Sequence, residues 1–156
     1  MALFAEISSN AKMRLSGHAS YAGDVTPQEA WNLLTRYSES QLIDVRTDME
    51  WTSVGVPDVS SLGKRTHTIS LMTYPGMREN PLFIKTINDI FKDKNAPLLF
   101  LCKTGGRSAM AAEYAASLGY TAAFNIAQGF EGAANEAGLR NHINGWRAEG
   151  LPWRSV

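Results

Sequence analysis

The chain has 156 residues, enough for one domain with a sizeable core and no need of disulfide staples. A hydrophobic share of 44% is ordinary for a globular protein, and a formal net charge of zero leaves no basic footprint for nucleic acid or an anionic membrane. One cysteine excludes an internal disulfide, no run approaches the ~18 apolar residues of a membrane span, and Glu6, Lys12 and Arg14 interrupt any signal-peptide core, so the expected compartment is the cytoplasm.

Residues 1–20 show no sustained period and are expected to form an N-terminal tail or short packed arm, with the domain proper over 21–156. Thr26-Pro27-Gln28-Glu29 is a capping box with proline at the first helical position. The helix it opens carries Ala30, Leu33, Leu34 and Tyr37 on one stripe. Leu42–Val45 predicts a short strand, residues 52–66 an irregular excursion, and Thr68–Leu71 a weaker strand. Asn80-Pro81 caps a helix with Phe83, Ile87, Ile90 and Phe91 on one face. Leu98–Leu101 predicts a strand, the alanine-rich stretch from Ser108 a helix stopped at Gly119, and Ala122–Ile126 the last strand. Strands alternating with helices argue an α/β fold with a doubly wound, mainly parallel sheet and helices on both faces. In such sheets ligands bind beyond the carboxyl ends of the strands, which places Cys102, Arg46 and the segment Leu71–Met77 on one edge.

The stretch that carries chemistry is Cys102-Lys103-Thr104-Gly105-Gly106-Arg107-Ser108, directly after the Leu98–Leu101 strand. Strand, tight glycine loop and helix N-terminus together make a bowl of N–H groups facing an anion. A thiol at the rim of that bowl supplies the anion as a thiolate, which is the reactive form. A lone cysteine is more often a small buried hydrophobe; the glycine pair, Lys103 and Arg107 around it favour a nucleophile. Lys103 reads either as a solvated loop lysine or as a group attracting an anionic donor. The Arg107 fork is suited to loop carbonyls and to an anion's oxygens. Asp44 and Arg46, at a strand end, read as an ion pair supporting the loop. His18, His67 and His142 have no metal-like spacing, so neither metal nor cofactor is expected. Trp31, Trp51, Trp146 and Trp153 read as core or rim packing.

This loop resembles the active-site loop of the rhodanese family of sulfurtransferases. Leu42-Ile43-Asp44-Val45-Arg46 with Glu50-Trp51, Gly119-Tyr120 through Ile126, and Gly150-Leu151-Pro152 resemble the family's other signatures, so the similarity runs from about Tyr21 to Trp153. Where many members carry Gly-His-Ile-Pro-Gly-Ala, this chain has Gly55-Val56-Pro57-Asp58-Val59, without the histidine. The resemblance implies a sheet of about five strands and a persulfide carried on Cys102. It implies substrate contacts from Lys103, Thr104, Gly105, Gly106, Arg107 and Ser108, with Asp44 and Arg46 in support. The implied partners are a small anionic sulfur donor such as thiosulfate and an external acceptor: cyanide, or a thiol, protein thiols included.

Four residues separate Cys102 from Arg107, one fewer than in cysteine phosphatases, which favours sulfur transfer over a phosphatase or arsenate reductase. A non-enzymatic persulfide carrier or binding module is the alternative from a different class. The segment Ala127–Asn141, with Gly129, Gly132 and Gly138, reads either as a tolerated insertion or as a rim in which Phe130, Glu131 and Arg140 screen acceptors.

Overall fold

The computed structural model describes residues 2–156, and its first element is one that no sequence period announces. Helix α1 (Ala2–Met13) buries Ile7 and Ala11, one turn apart, against the strand that follows. That strand, β1 (Gly23–Val25), was not expected either. It is three residues long, too short to alternate visibly. The two elements touch through Gly23, where a Cβ would lie 2.4 Å from the Ala11 carbonyl carbon. Helix α2 (Pro27–Arg36) follows, with both halves of the Thr26–Glu29 capping box formed.

Strand β2 (Gln41–Asp44) leads into helix α3 (Asp48–Val54), so the first residues of the expected excursion over 52–66 are helical. A second capping box, Thr47 with Glu50, starts α3 and went unrecognised in the sequence. The rest of the excursion is β3 (Val56–Pro57) and a single 3-10 turn at Ser60–Leu62. Strand β4 (Thr66–Thr68) lies earlier than the expected Thr68–Leu71. The chain still follows β2 beyond it, because Ile69 and Leu71 donate to the carbonyls of Asp44 and Val45.

A small antiparallel hairpin, β5 (Met72–Thr73) with β6 (Arg78–Glu79), precedes helix α4 (Phe83–Ile90). Strand β7 (Leu98–Leu101), helix α5 (Gly106–Ser117) and strand β8 (Ala123–Ile126) complete the alternating part. Helix α5 thus begins at Gly106, two residues before the expected Ser108. Near the C-terminus β9 (Trp153–Arg154) pairs with β3.

Five strands form one fully parallel sheet in the order β1-β8-β7-β2-β4. Alternation along each strand sends side chains to two cores. Leu42, Leu99, Leu101, Phe124 and Ile126 join α1 and α2; Ile43, Leu98, Phe100 and Ala123 join α4 and α5. Helices therefore cover both faces, as a doubly wound sheet requires. Among the described residues no helix is long and apolar enough to cross a membrane.

Candidate active site

Strand β7 delivers Cys102 at its carboxyl end, where the sheet order places neighbouring strands on both sides. The Cys102 side chain is 1% exposed. Its sulfur accepts from Gly105 N at 3.1 Å, and Ser108 Oγ lies 3.1 Å away. Of the N–H groups of residues 103–108, that of Gly105 is the one that reaches Sγ. Those of Gly106, Arg107 and Ser108 open α5 and have no partner within it.

The loop's shape depends on glycine at two places. Gly105 sits at φ 109°, and a Cβ there would lie 2.1 Å from the Ala127 carbonyl oxygen. Gly129 sits at φ 72°, with a Cβ position 2.3 Å from the Lys103 carbonyl oxygen. This closeness lets residues 127–132 bond the loop's backbone. Phe130 N donates to Cys102 O at 2.8 Å, while Glu131 N and Gly132 N both donate to Lys103 O.

Asp44 and Arg46 are both fully buried and form an ion pair with Nη2 to Oδ2 at 2.7 Å. Arg46 also donates to Gly55 O, and its guanidinium lies 4.3 Å from the Phe130 ring centroid. The pair therefore touches the loop through Phe130, whose N–H holds the Cys102 carbonyl.

Arg107 is arranged differently from the sequence expectation. Its fork bonds no loop carbonyl. Nη1 donates to Glu50 Oε1 at 2.7 Å and Nη2 to Glu50 Oε2 at 2.9 Å. Burial pushes the Glu50 carboxyl up, but the Arg107 bonds and charge, with the Thr47 N–H and hydroxyl, pull it down further. The net result lies below the ordinary carboxylate range. The same bonds hold the Arg107 guanidinium more firmly protonated.

A cavity of about 390 Å³ opens at this edge, lined by Met49, Glu50 and Val54 of α3, Tyr74 and Met77 of the hairpin, and Lys103, Arg107 and Glu131, among others. Two cations thus face two carboxylates. Glu50 and Arg107 neutralise one another; among the described residues Lys103 and Glu131 have no ion-pair partner. Thr104 and Gly106 are exposed and do not line this cavity. Of the rim residues expected in 127–141, Glu131 reaches it. Phe130 is fully buried in the core, and Arg140 Nη1 donates to Gly132 O within its own segment.

Sequence reasoning took Glu50 for a signature residue alone; the Thr47–Glu50 capping box was the available signal for the helix that aims it. It also passed over Asn125, whose Oδ1 lies 2.6 Å from Ser108 Oγ.

The family model described as the STR4 middle domain matches residues 22–156, nearly the whole chain. The chain is a rhodanese-like domain of that family. It is 33% identical to the uncharacterized protein RP600 of Rickettsia prowazekii, over 84% of this chain and 96% of that protein. It is 30% identical to the chloroplastic rhodanese-like domain-containing protein 4 of Arabidopsis thaliana, over 84% of this chain and 25% of that longer protein. Among solved structures, Rv0390 of M. tuberculosis is similar at 43% identity and TM-score 0.80, covering 88% of this chain and all of the other. The homodimeric polysulfide-sulfur transferase of Wolinella succinogenes shares the fold at 21% identity and TM-score 0.57, over 99% of this chain and 89% of that one.

Proposed function

We propose that the protein is a sulfurtransferase that carries a sulfane sulfur as a persulfide on Cys102. The observation that carries this reading is the Cys102 sulfur itself, held by Gly105 N–H and set beside unpaired N–H groups at the start of α5. The Cys102 thiolate attacks the outer sulfur of a donor such as thiosulfate. A new S–S bond forms, the donor's S–S bond breaks, and sulfite leaves with the electron pair. The outer sulfur then lies toward the N–H groups of Gly106, Arg107 and Ser108. A thiolate or cyanide attacks it, and the Cys102 thiolate is released.

The fold family supports sulfur transfer. The short loop, with its arginine turned to Glu50, gives a tetrahedral phosphate little to grip. A single thiol with no resolving partner suits a reducing compartment such as the cytoplasm. One observation favours a slower, carrier-like behaviour: with the sulfur 1% exposed, it offers an acceptor little surface for direct attack. The test is mass spectrometry of the full chain after thiosulfate treatment, followed by addition of cyanide or a thiol. A gain of one sulfur on Cys102, lost on adding acceptor with repeated turnover, is expected. No gain overturns the proposal; a gain that is passed on once without turnover favours the carrier.

A further inference from the structure

The Cys102 sulfur has a second set of neighbours that the transfer chemistry leaves unused. Ser108 Oγ stands 3.1 Å from Cys102 Sγ and 2.6 Å from Asn125 Oδ1. A hydroxyl has one proton and serves one of these acceptors at a time. Asn125 Nδ2 donates to Asp24 Oδ1 at 3.0 Å, and the Tyr21 hydroxyl donates to the same oxygen at 2.8 Å. A carboxylate accepts only, so Asn125 turns its NH2 to Asp24 and its carbonyl oxygen to Ser108. Burial, then the bond to Asp24, raises the Tyr21 hydroxyl well above its ordinary range, so it remains a donor. Proton directions are therefore set from the outer end of the chain inward.

We propose that Asp24 and Asn125 are positioning residues that draw the Ser108 hydroxyl proton away from Cys102 and so oppose, in part, the thiolate that the loop N–H groups favour, adding weight to the thiol. In that state the thiol proton points to Ser108 Oγ, and the hydroxyl proton to Asn125 Oδ1. When the thiol ionises, its proton leaves to solvent and the hydroxyl turns to the sulfur. Asn125 Oδ1, on a residue 3% exposed, then loses its donor at a cost. The amide orients protons and relays none. The consequence for turnover rests on the sulfur-transfer reading: a loaded Sγ carries no charge, and the hydroxyl returns to Asn125.

Other charges stand around the loop and stay in place in the test. Lys103 and Arg107 are the cations of the loop. Glu50 offsets Arg107, the Asp44–Arg46 pair is internally neutral, and Glu131 stands across the cavity. Glu113 of α5 reaches the outer end, accepting from Ser20 N and Tyr21 N.

The experiment is the pH dependence of Cys102 alkylation by iodoacetamide in the full chain, a reaction that requires the thiolate and no sulfur transfer. Asn125→Leu removes the competing acceptor without changing charge and should lower the midpoint by about one pH unit. Asp24→Leu frees the amide to turn its NH2 to Ser108 and also removes a negative charge, with both effects in the same direction. In a Ser108→Ala background the Asn125→Leu shift should vanish and the Asp24→Leu shift should shrink to the part that comes from losing the Asp24 charge, where a mere change of packing would persist undiminished. Unchanged midpoints in folded variants, or equal shifts with Ser108→Ala, overturn the proposal. Should the leucine variants fail to fold, NMR of the wild type decides: the Asn125 side-chain NH2 signals should move with the alkylation midpoint, and no movement overturns it. Failure to gain sulfur from thiosulfate would remove the transfer reading and leave this alkylation profile standing.

Discussion

Two segments flank the Cys102 loop, and they are built in different ways. Residues 127–132 approach so closely that Gly105 and Gly129 have no room for a Cβ, and three of their N–H groups hold the carbonyls of Cys102 and Lys103. The β5–β6 hairpin instead reaches the cavity with Tyr74 and Met77; Tyr74 is 52% exposed. It is tied back to α5 by a hydrogen bond from the Tyr114 hydroxyl to Glu79. The first segment fixes the sulfur by backbone contacts that tolerate no added atom. The second presents side chains that can change without disturbing the sulfur. Placement and selection are therefore separable, and substitutions on the two sides should fail in different ways.

The largest effect is expected at the sulfur. Cys102→Ser should form no sulfur adduct with thiosulfate and transfer none to cyanide, while circular dichroism and melting stay near wild type. A serine hydroxyl does not ionise near neutral pH, whereas its volume suits the same buried position. Retained turnover in a folded Cys102→Ser protein would end the persulfide account.

Next comes the fixed side. Gly129→Ala puts a methyl group 2.3 Å from the Lys103 carbonyl oxygen, and backbone there has no side-chain freedom to yield. A loss of about 2–4 kcal/mol in urea unfolding is expected, with sulfur loading falling at least ~10-fold in the protein that folds. Gly138→Ala is the control: it has a similar φ of 80° but nothing within 4 Å of its Cβ position. It should cost only the ~1 kcal/mol of left-handed strain and leave loading unchanged. Equal losses at the two glycines would mean that the close approach does not hold the loop.

What could be read from the sequence was local. The alternation of strands and helices, the Thr26 box and the turn after Cys102 each lie within a few residues, and the sheet follows from them. What escaped joins distant parts of the chain. Glu50 and Arg107 are 57 residues apart and Asp24 and Asn125 are 101 apart, so no window shows either pair. Helix α1 escaped because two buried residues, Ile7 and Ala11, make too narrow a stripe to stand out. Gly129 was visible as a glycine in a long segment. Its close approach to Lys103 O exists only once β8 lies beside β7.

The Glu50–Arg107 clamp lies between the two sides, and its effect should be smaller and dependent on pH. The folded-state Glu50 carboxyl ionises below its ordinary range, so the clamp stabilises the fold above the unfolded-state value of about 4.3. That contribution should disappear as pH falls through the lower, folded-state value. Glu50→Gln should therefore be less stable than wild type at pH 7, by about 1 kcal/mol or less given partial solvent screening. The two proteins should converge in acid. A constant difference across that range would show that the charge of Glu50 contributes nothing.

The smallest effects belong to the cavity itself, where Lys103 of the loop and the side chain of Glu131 meet with no ion-pair partner among the described residues. Glu50 already neutralises Arg107, so these two charges set the sign of the field that an incoming anion meets. Lys103→Ala should slow the reaction with thiosulfate by roughly 3- to 10-fold, and Glu131→Gln should speed it by a similar or smaller factor. Both effects should shrink as ionic strength rises, since the Debye length falls to about 3 Å at 1 M salt. With an uncharged sulfur donor both should nearly vanish at any salt concentration. Stability should change little, because neither side chain holds the loop; its attachment runs through the Lys103 carbonyl and the Glu131 N–H, which both substitutions keep. If Glu131→Gln instead slows thiosulfate, the carboxylate meets the donor by contact and not through its field, and the segment that places the sulfur would also select the substrate.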